Sequence, residues 1–308
     1  MWAGVGLAVL ICLPNLIWQA QHGFISLVYQ EATRARNIQL GRNRDYLLGQ
    51  LYVCVNPASL GLVVAGLRYT GLQAEGRRYR LLAWLFAVLL LLFLLVGGRN
   101  YYLAPAYPML IAAGLVWIEQ RQAGLGPAEL ERQRRGLYSS LGIGALIMMA
   151  IVLPLAPINS DLWELNMALN GELREEVGWH ELVSTVAGIY QSLPAAEQAH
   201  TGILTGNYGE AGAINLYGPA YGLPQVISGI NSYWLHGYGN PPPQTLIVVG
   251  FDGTPQEQQI FASCTLAGRN SNRFDILNEE SRDHPDIFVC RGLRIEWPEL
   301  WGLLRSFG

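Results

Sequence analysis

Five apolar runs, at about residues 1–20, 46–67, 81–97, 101–118 and 138–156, constrain this chain more than any other feature. A bilayer core about 30 Å thick is crossed by about 20 apolar residues in a helix rising about 1.5 Å each. A soluble domain has no use for five such helices in succession. The composition agrees. Of the 308 residues, 51% are hydrophobic and 14% are charged, with a mean hydropathy of +0.22. Ordinary soluble domains carry about 25% charged residues, so a simple soluble enzyme and a disordered chain are both excluded.

The charges are unevenly shared. Residues 1–156 hold 13 Arg and 6 acids, whereas residues 157–308 hold 7 Arg and 17 acids; Lys is absent throughout. Two loops between apolar runs, 68–80 and 119–135, carry four Arg each. An odd number of spans places both on the side of the N-terminus, and the positive-inside rule makes that side cytoplasmic. The expected architecture is an α-helical polytopic membrane region of about five spans (1–156) followed by an extracytoplasmic α/β domain (157–308). The location is the inner, cytoplasmic membrane, with the C-terminal domain outside it. Residues 21–45 fall on the outer side although they contain Arg34, Arg36, Arg42 and Arg44. Phosphate binding explains them, and so does a solvated helix touching lipid headgroups. Met1 leads straight into apolar sequence with no basic n-region or cleavage site, which predicts a chain that begins inside a larger membrane protein.

In the second half, the pattern predicts a helix over 178–193 and strands at 201–205, 245–250 and 286–290. Further helices are predicted at 210–216, 255–262 and 298–304. Strands alternating with helices favour a mainly parallel sheet covered on both faces. Cys12 and Cys54 lie in apolar runs and read as inert. Cys264 and Cys290 lie in the outer domain, where a disulfide is permitted, but spacing alone leaves their pairing open. There is no CxxC pair or Cys/His cluster, so no metal ligand is assigned.

Nucleophile elbow, P-loop and HExxH are all missing. Residues 206–212, Gly-Asn-Tyr-Gly-Glu-Ala-Gly, form a strand-to-helix turn that suits an anion or simply a tight turn. Residues 207–238 are rich in aromatic and polar groups, among them Glu210, Tyr233, Trp234 and His236. Rings beside amides and carboxylates suit sugar binding; they equally suit core packing or a membrane interface. Glu210 and His236 could act as an acid/base pair, or be an ordinary structural pair. Two segments are more pointed. Residues 14–24 set Gln19, Gln21 and His22 at the outer end of the first run, where polar groups are costly unless they pair or line a cavity. Residues 98–108 form a short external turn in which Arg99 stands beside Tyr101 and Tyr102. Arg99 is placed to meet a lipid phosphate, and interfacial anchoring explains it too.

Those two segments, together with 50–57, Gly66-Leu67, 208–213 and 228–234, resemble the C-terminal part of a bacterial family 39 membrane glycosyltransferase. This GT-C family includes the protein O-mannosyltransferases and is similar to the aminoarabinose transferase of lipid A. The resemblance implies transfer of a sugar from a polyprenyl-phosphate donor to a lipid or protein acceptor on the outer face of the membrane. It assigns Arg99 to the donor phosphate, with Tyr101, Tyr102 and His22 near the lipid-sugar pocket. It makes Glu210, Tyr233 and Trp234 further substrate-binding candidates. Some families of this kind use a divalent metal and others none. The family has about twice as many spans, and its catalytic carboxylate lies in the first external loop. No residue here matches that motif: Glu31 and Asp45 are external acids outside it, so the catalytic residue is unassigned. The resemblance therefore implies a fragment, one part of a split enzyme, or an inactive remnant. The alternative is a non-catalytic membrane-anchored protein that binds a glycan or a partner. A transporter is disfavoured because the spans lack buried charges and inverted repeats. Nucleic-acid binding is unsupported because the Arg residues adjoin spans.

Overall fold

The computed structural model describes residues 2–39, 41, 44, 46–254 and 259–307. The chain divides into two compact units, Met1–Leu153 and Pro154–Gly308, a boundary close to the change in composition.

The first unit is helical. Helix α1 (Trp2–Gln21) has no buried residue. A turn at Gly23 leads into α2 (Ile25–Gln39), whose one buried residue is Asn37. The run 46–67, expected as a single span, is broken. Helix α3 (Tyr46–Tyr52) stops, and a 3-10 turn (Pro57–Ser59) starts α4 (Leu60–Leu72) at a 90° bend. Pro57 explains the break: it donates no backbone N–H and disfavours helical backbone at Asn56. The Asn56 side chain then accepts from the Ala58 N–H, capping the new helix at 2.9 Å.

Helix α5 (Arg80–Val96) ends at Gly97, which is left-handed at φ +69. A 3-10 turn (Asn100–Ala106) leads into α6 (Tyr107–Gln122). Helix α7 (Pro127–Val152) starts well before the expected span. Most of the basic loop 119–135 is therefore helical, with Arg132–Glu129 and Arg135–Glu131 paired along α7. Four described helices are long and apolar enough to cross a membrane, or five if the bent pair counts as one span. Helices α4 and α6 approach backbone to backbone. A Cβ on Gly66 would overlap the Leu110 carbonyl, and one on Gly114 would overlap the Leu62 carbonyl. Around this contact Val63, Phe86, Leu103, Tyr107 and Leu110 form the unit's core.

The second unit is α/β. In chain order it comprises α8 (Asp161–Leu169), α9 (Trp179–Ser192), a short α10 (Ala195–Gln198), β1 (Thr201–Thr205) and α11 (Tyr208–Tyr217). There follow β2 (Val226–Ser228), β3 (Thr245–Val249), β4 (Phe261–Arg269), α12 (Glu279–Asp283), β5 (Asp286–Leu293) and α13 (Trp297–Leu304). The sheet order is β2-β1-β3-β5-β4. Strands β2, β1 and β3 are parallel, while β5 and β4 are antiparallel to their neighbours. The expected mainly parallel sheet is thus a mixed one. Strand alternation sends Ile203 and Ile247 to the face covered by α9 and α11, and Leu204 and Leu246 to the face carrying α13. The helix expected over 255–262 is not borne out at its end: 255–258 lie outside the described residues, and Phe261 and Ala262 open β4. Cys264 and Cys290, directly opposite on β4 and β5, form a disulfide.

Candidate functional site

In the first unit, polar groups gather around the turn between α5 and α6. The left-handed Gly97 stops α5, and Gly98 N–H caps back onto the Phe93 carbonyl at 2.8 Å. This delivers Arg99 in extended backbone at φ -73, ψ 149, with its side chain free of the helix. Its Nε donates to Asn37 Oδ1 of α2 at 3.3 Å, and one terminal nitrogen donates to the Tyr101 hydroxyl at 3.2 Å. Tyr101 meets Tyr102 edge to face at 5.1 Å, and Tyr102 leans on Phe93 at 5.7 Å.

Asn100 anchors the turn from the other side. Its carbonyl accepts from Gln50 Nε2 at 2.9 Å and from Cys54 Sγ at 3.2 Å. Gln50 also donates to the Tyr46 carbonyl and accepts from the Tyr107 hydroxyl. Gly49 leaves the space that the Asn100 side chain fills. The broken run 46–67 thus serves the turn, its Gln50 and Cys54 side chains tying the Asn100 backbone in place. Among the described residues the buried hydroxyls of Thr33 and Tyr46 find no hydrogen-bond partner.

The chemistry offered is that of an oriented cation. Among the described residues no carboxylate lies within ion-pair distance of Arg99, Arg34 or Arg36. Arg99 commits two of its donors to neutral oxygens. A guanidinium has five, arranged to fork onto carboxylate or phosphate. The structure therefore brings Arg99, Tyr101 and Tyr102 together. His22 is elsewhere: it is exposed, stacked on Trp18 at 4.2 Å, with Nδ1 2.8 Å from the Trp18 carbonyl. Asn37, Gln50 and Asn100 were not singled out from sequence. Isolated amides give no periodic signal, although Gln50 and Asn100 both lie in segments carrying the family resemblance. Glu31 is exposed, and Arg42 and Asp45 lie outside the described residues.

The remaining candidates belong to the second unit. Glu210 is 1% exposed and occupies the third position of α11 in a capping box. Asn207 Oδ1 accepts from the Glu210 N–H, and Glu210 Oε2 accepts from the Asn207 N–H at 3.2 Å. The Asn207 amide also donates to buried Glu280 of α12 at 3.2 Å. One oxygen of each carboxyl, Glu210 Oε1 and Glu280 Oε2, finds no hydrogen-bond partner among the described residues. Burial pushes the Glu210 carboxyl up to about 7; N–H groups of Asn207 and Gly206 oppose this, and the Glu280 charge adds to it. Burial also raises Glu280. Gly250, left-handed at φ +74, makes the room: a Cβ there would strike the Glu210 carboxyl.

Tyr233 packs against the α9–α11 core and meets His236 at 5.7 Å. Trp234 donates to the Trp301 carbonyl at 3.1 Å and lies parallel to Trp301, with the Arg305 guanidinium 4.3 Å from its ring centre. Among the described residues no hydrogen bond or ion pair joins Glu210 to His236. No three Asp, Glu, His or Cys side chains among them gather as metal ligands would. Comparison with protein-family models, with curated proteins and with solved structures finds no match.

Proposed function

We propose that the chain is a portion of a membrane glycosyltransferase that moves a sugar from a polyprenyl-phosphate donor to a lipid or protein acceptor. In this reading the acceptor oxygen attacks the anomeric carbon, the bond to the phosphate oxygen breaks, and the phosphate leaves with the electron pair. Arg99 takes up the charge that grows on the phosphate, a preorganised electrostatic role. Tyr101 and Tyr102 line the donor beside it. Removal of the acceptor proton falls to a carboxylate of the family's first external loop, outside the residues that carry the resemblance. The protein belongs to the inner, cytoplasmic membrane, with the second unit outside. The Cys264–Cys290 disulfide supports an oxidising setting for that unit. The Asn37–Arg99 hydrogen bond supports one common side for segments 21–45 and 98–108.

The observation that carries the reading is Arg99, a cation held by two neutral oxygens and no carboxylate among the described residues. The test is binding of a short-chain polyprenyl phosphate to the full chain in nanodiscs, followed by native mass spectrometry. Arg99→Ala should weaken binding at least about tenfold, the loss expected for a charged partner. Unchanged binding would refute the assignment. A second reading, a non-catalytic membrane-anchored binding protein, draws support from the separation of Glu210 and His236 by their own local partners. Donor binding with no sugar transfer would favour it.

A further inference from the structure

We infer that Asn37 is the positioning residue of the anion site: it aims the Arg99 guanidinium while leaving its charge whole. The inference rests on the reading of Arg99 as the phosphate contact. Asn37 is 3% exposed and is the one buried residue of α2, whose neighbouring Arg34, Ala35, Arg36, Ile38 and Gln39 are exposed. Asparagine is a poor helix former, and burying an amide is unfavourable unless it is hydrogen-bonded. Its presence there calls for a partner, and the partner is Arg99 Nε, 62 residues away in the chain.

Side-chain type decides the consequence. A carboxylate at the same place would accept the same hydrogen bond more strongly and would neutralise the guanidinium. The amide oxygen supplies direction without charge. With the Tyr101 hydroxyl as the other acceptor, the guanidinium plane is fixed from two sides and keeps its full positive charge for an incoming anion. Helix α2 runs beside the turn: a Cβ on Gly97 would lie in ordinary contact with Ile38 at 3.8 Å and with the Arg34 side-chain stem at 3.9 Å.

The experiment measures polyprenyl-phosphate binding and thermal unfolding of the full chain in nanodiscs for four variants. Asn37→Asp is isosteric, so it should keep or raise the unfolding temperature while weakening phosphate binding about tenfold, as Arg99→Ala does. Asn37→Ala leaves Arg99 charged but unaimed, and should lose about threefold to tenfold. Ala35→Asp adds the same charge on the exposed side of α2 and should change binding less than about threefold. A merely structural Asn37 would move stability and not affinity. If Asn37→Asp and Asn37→Ala both bind as the parent does while Arg99→Ala fails to bind, Asn37 has no positioning role and the Arg99 reading stands. If Arg99→Ala binds normally, the Arg99 reading falls and this inference falls with it. Should Asn37→Asp not fold, Asn37→Ala alone decides. Equal losses for Ala35→Asp and Asn37→Asp would assign the effect to helix charge and overturn the inference.

Discussion

In the unit Met1–Leu153, Leu10, Ile11, Leu81 and Leu95 are 68, 69, 68 and 76% exposed, whereas in the unit Pro154–Gly308 Ile203 and Ile247 are completely buried. Inside the first unit Asn37, Gln50 and Thr70 are buried beside its small apolar core, and each is hydrogen-bonded. Apolar side chains left outside suit a hydrocarbon surround, and apolar side chains hidden inside suit water. In water, removing apolar surface is the main driving force. In hydrocarbon, leucine gains nothing by going inside, so helices associate through close packing at small residues and through hydrogen bonds. The glycine contacts of α4 and α6, and the bonds that Gln50 and Asn37 make to the Arg99 turn, are that second kind of cohesion.

The largest effect should come from breaking the backbone contact in the first unit. Gly66→Leu drives a side chain into the Leu110 carbonyl, which cannot yield. Overpacking typically costs about 1–3 kcal/mol, and a clash with backbone on a small core should abolish recovery of monodisperse, detergent-solubilised protein. Wild-type recovery would mean that the two helices are held by something else. Next comes the second unit's own kind of cohesion. Ile247→Ala removes a fully buried side chain from the middle of the sheet and should cost about 2–5 kcal/mol in chemical unfolding followed by tryptophan fluorescence. A cost under about 1 kcal/mol would erase the distinction drawn between the units.

The smallest effect concerns buried polarity on the soluble side. Glu210 rises from 4.5 to about 7 on burial, so the folded state holds its proton more tightly than the unfolded one. The stability this gives is complete below about pH 4.5 and is lost as the pH rises through about 7, by at most about 3 kcal/mol. Glu280, which burial also raises, slopes the curve in the same direction. Glu210→Gln keeps the capping position filled with a group that does not titrate, so it should flatten the unfolding temperature between pH 5 and 8. An unaltered slope in that variant would show that Glu210 is not the source.

The membrane region was legible because length and hydropathy alone define a span, and the described helices fall near the expected runs. The break before α4 was missed although Asn56-Pro57 is a turn signal; a continuous apolar run outweighed it. In the second unit, β1, β3 and β5 carried enough apolar residues to be read. Strand β2 is three residues long, and β4 is an edge strand whose mostly exposed residues show no alternation, so both escaped. Of the candidate site, Arg99 and its tyrosines were visible as a basic aromatic turn. Asn37 and Gln50 were not visible as partners, because their meaning lies in contacts with residues about 50 or more positions away.

The paired notches of α4 and α6 also fix how far each helix can slide along the other. Leu62 and Gly66 are one turn apart on α4, as Leu110 and Gly114 are on α6, and each carbonyl faces the glycine of the opposite helix. An axial shift of one residue, about 1.5 Å with a rotation of about 100°, would turn Ala65 or Leu67 towards a space sized for a hydrogen atom. The pair therefore has a single register, and α6 fixes the height at which the 3-10 turn carrying Arg99 must end.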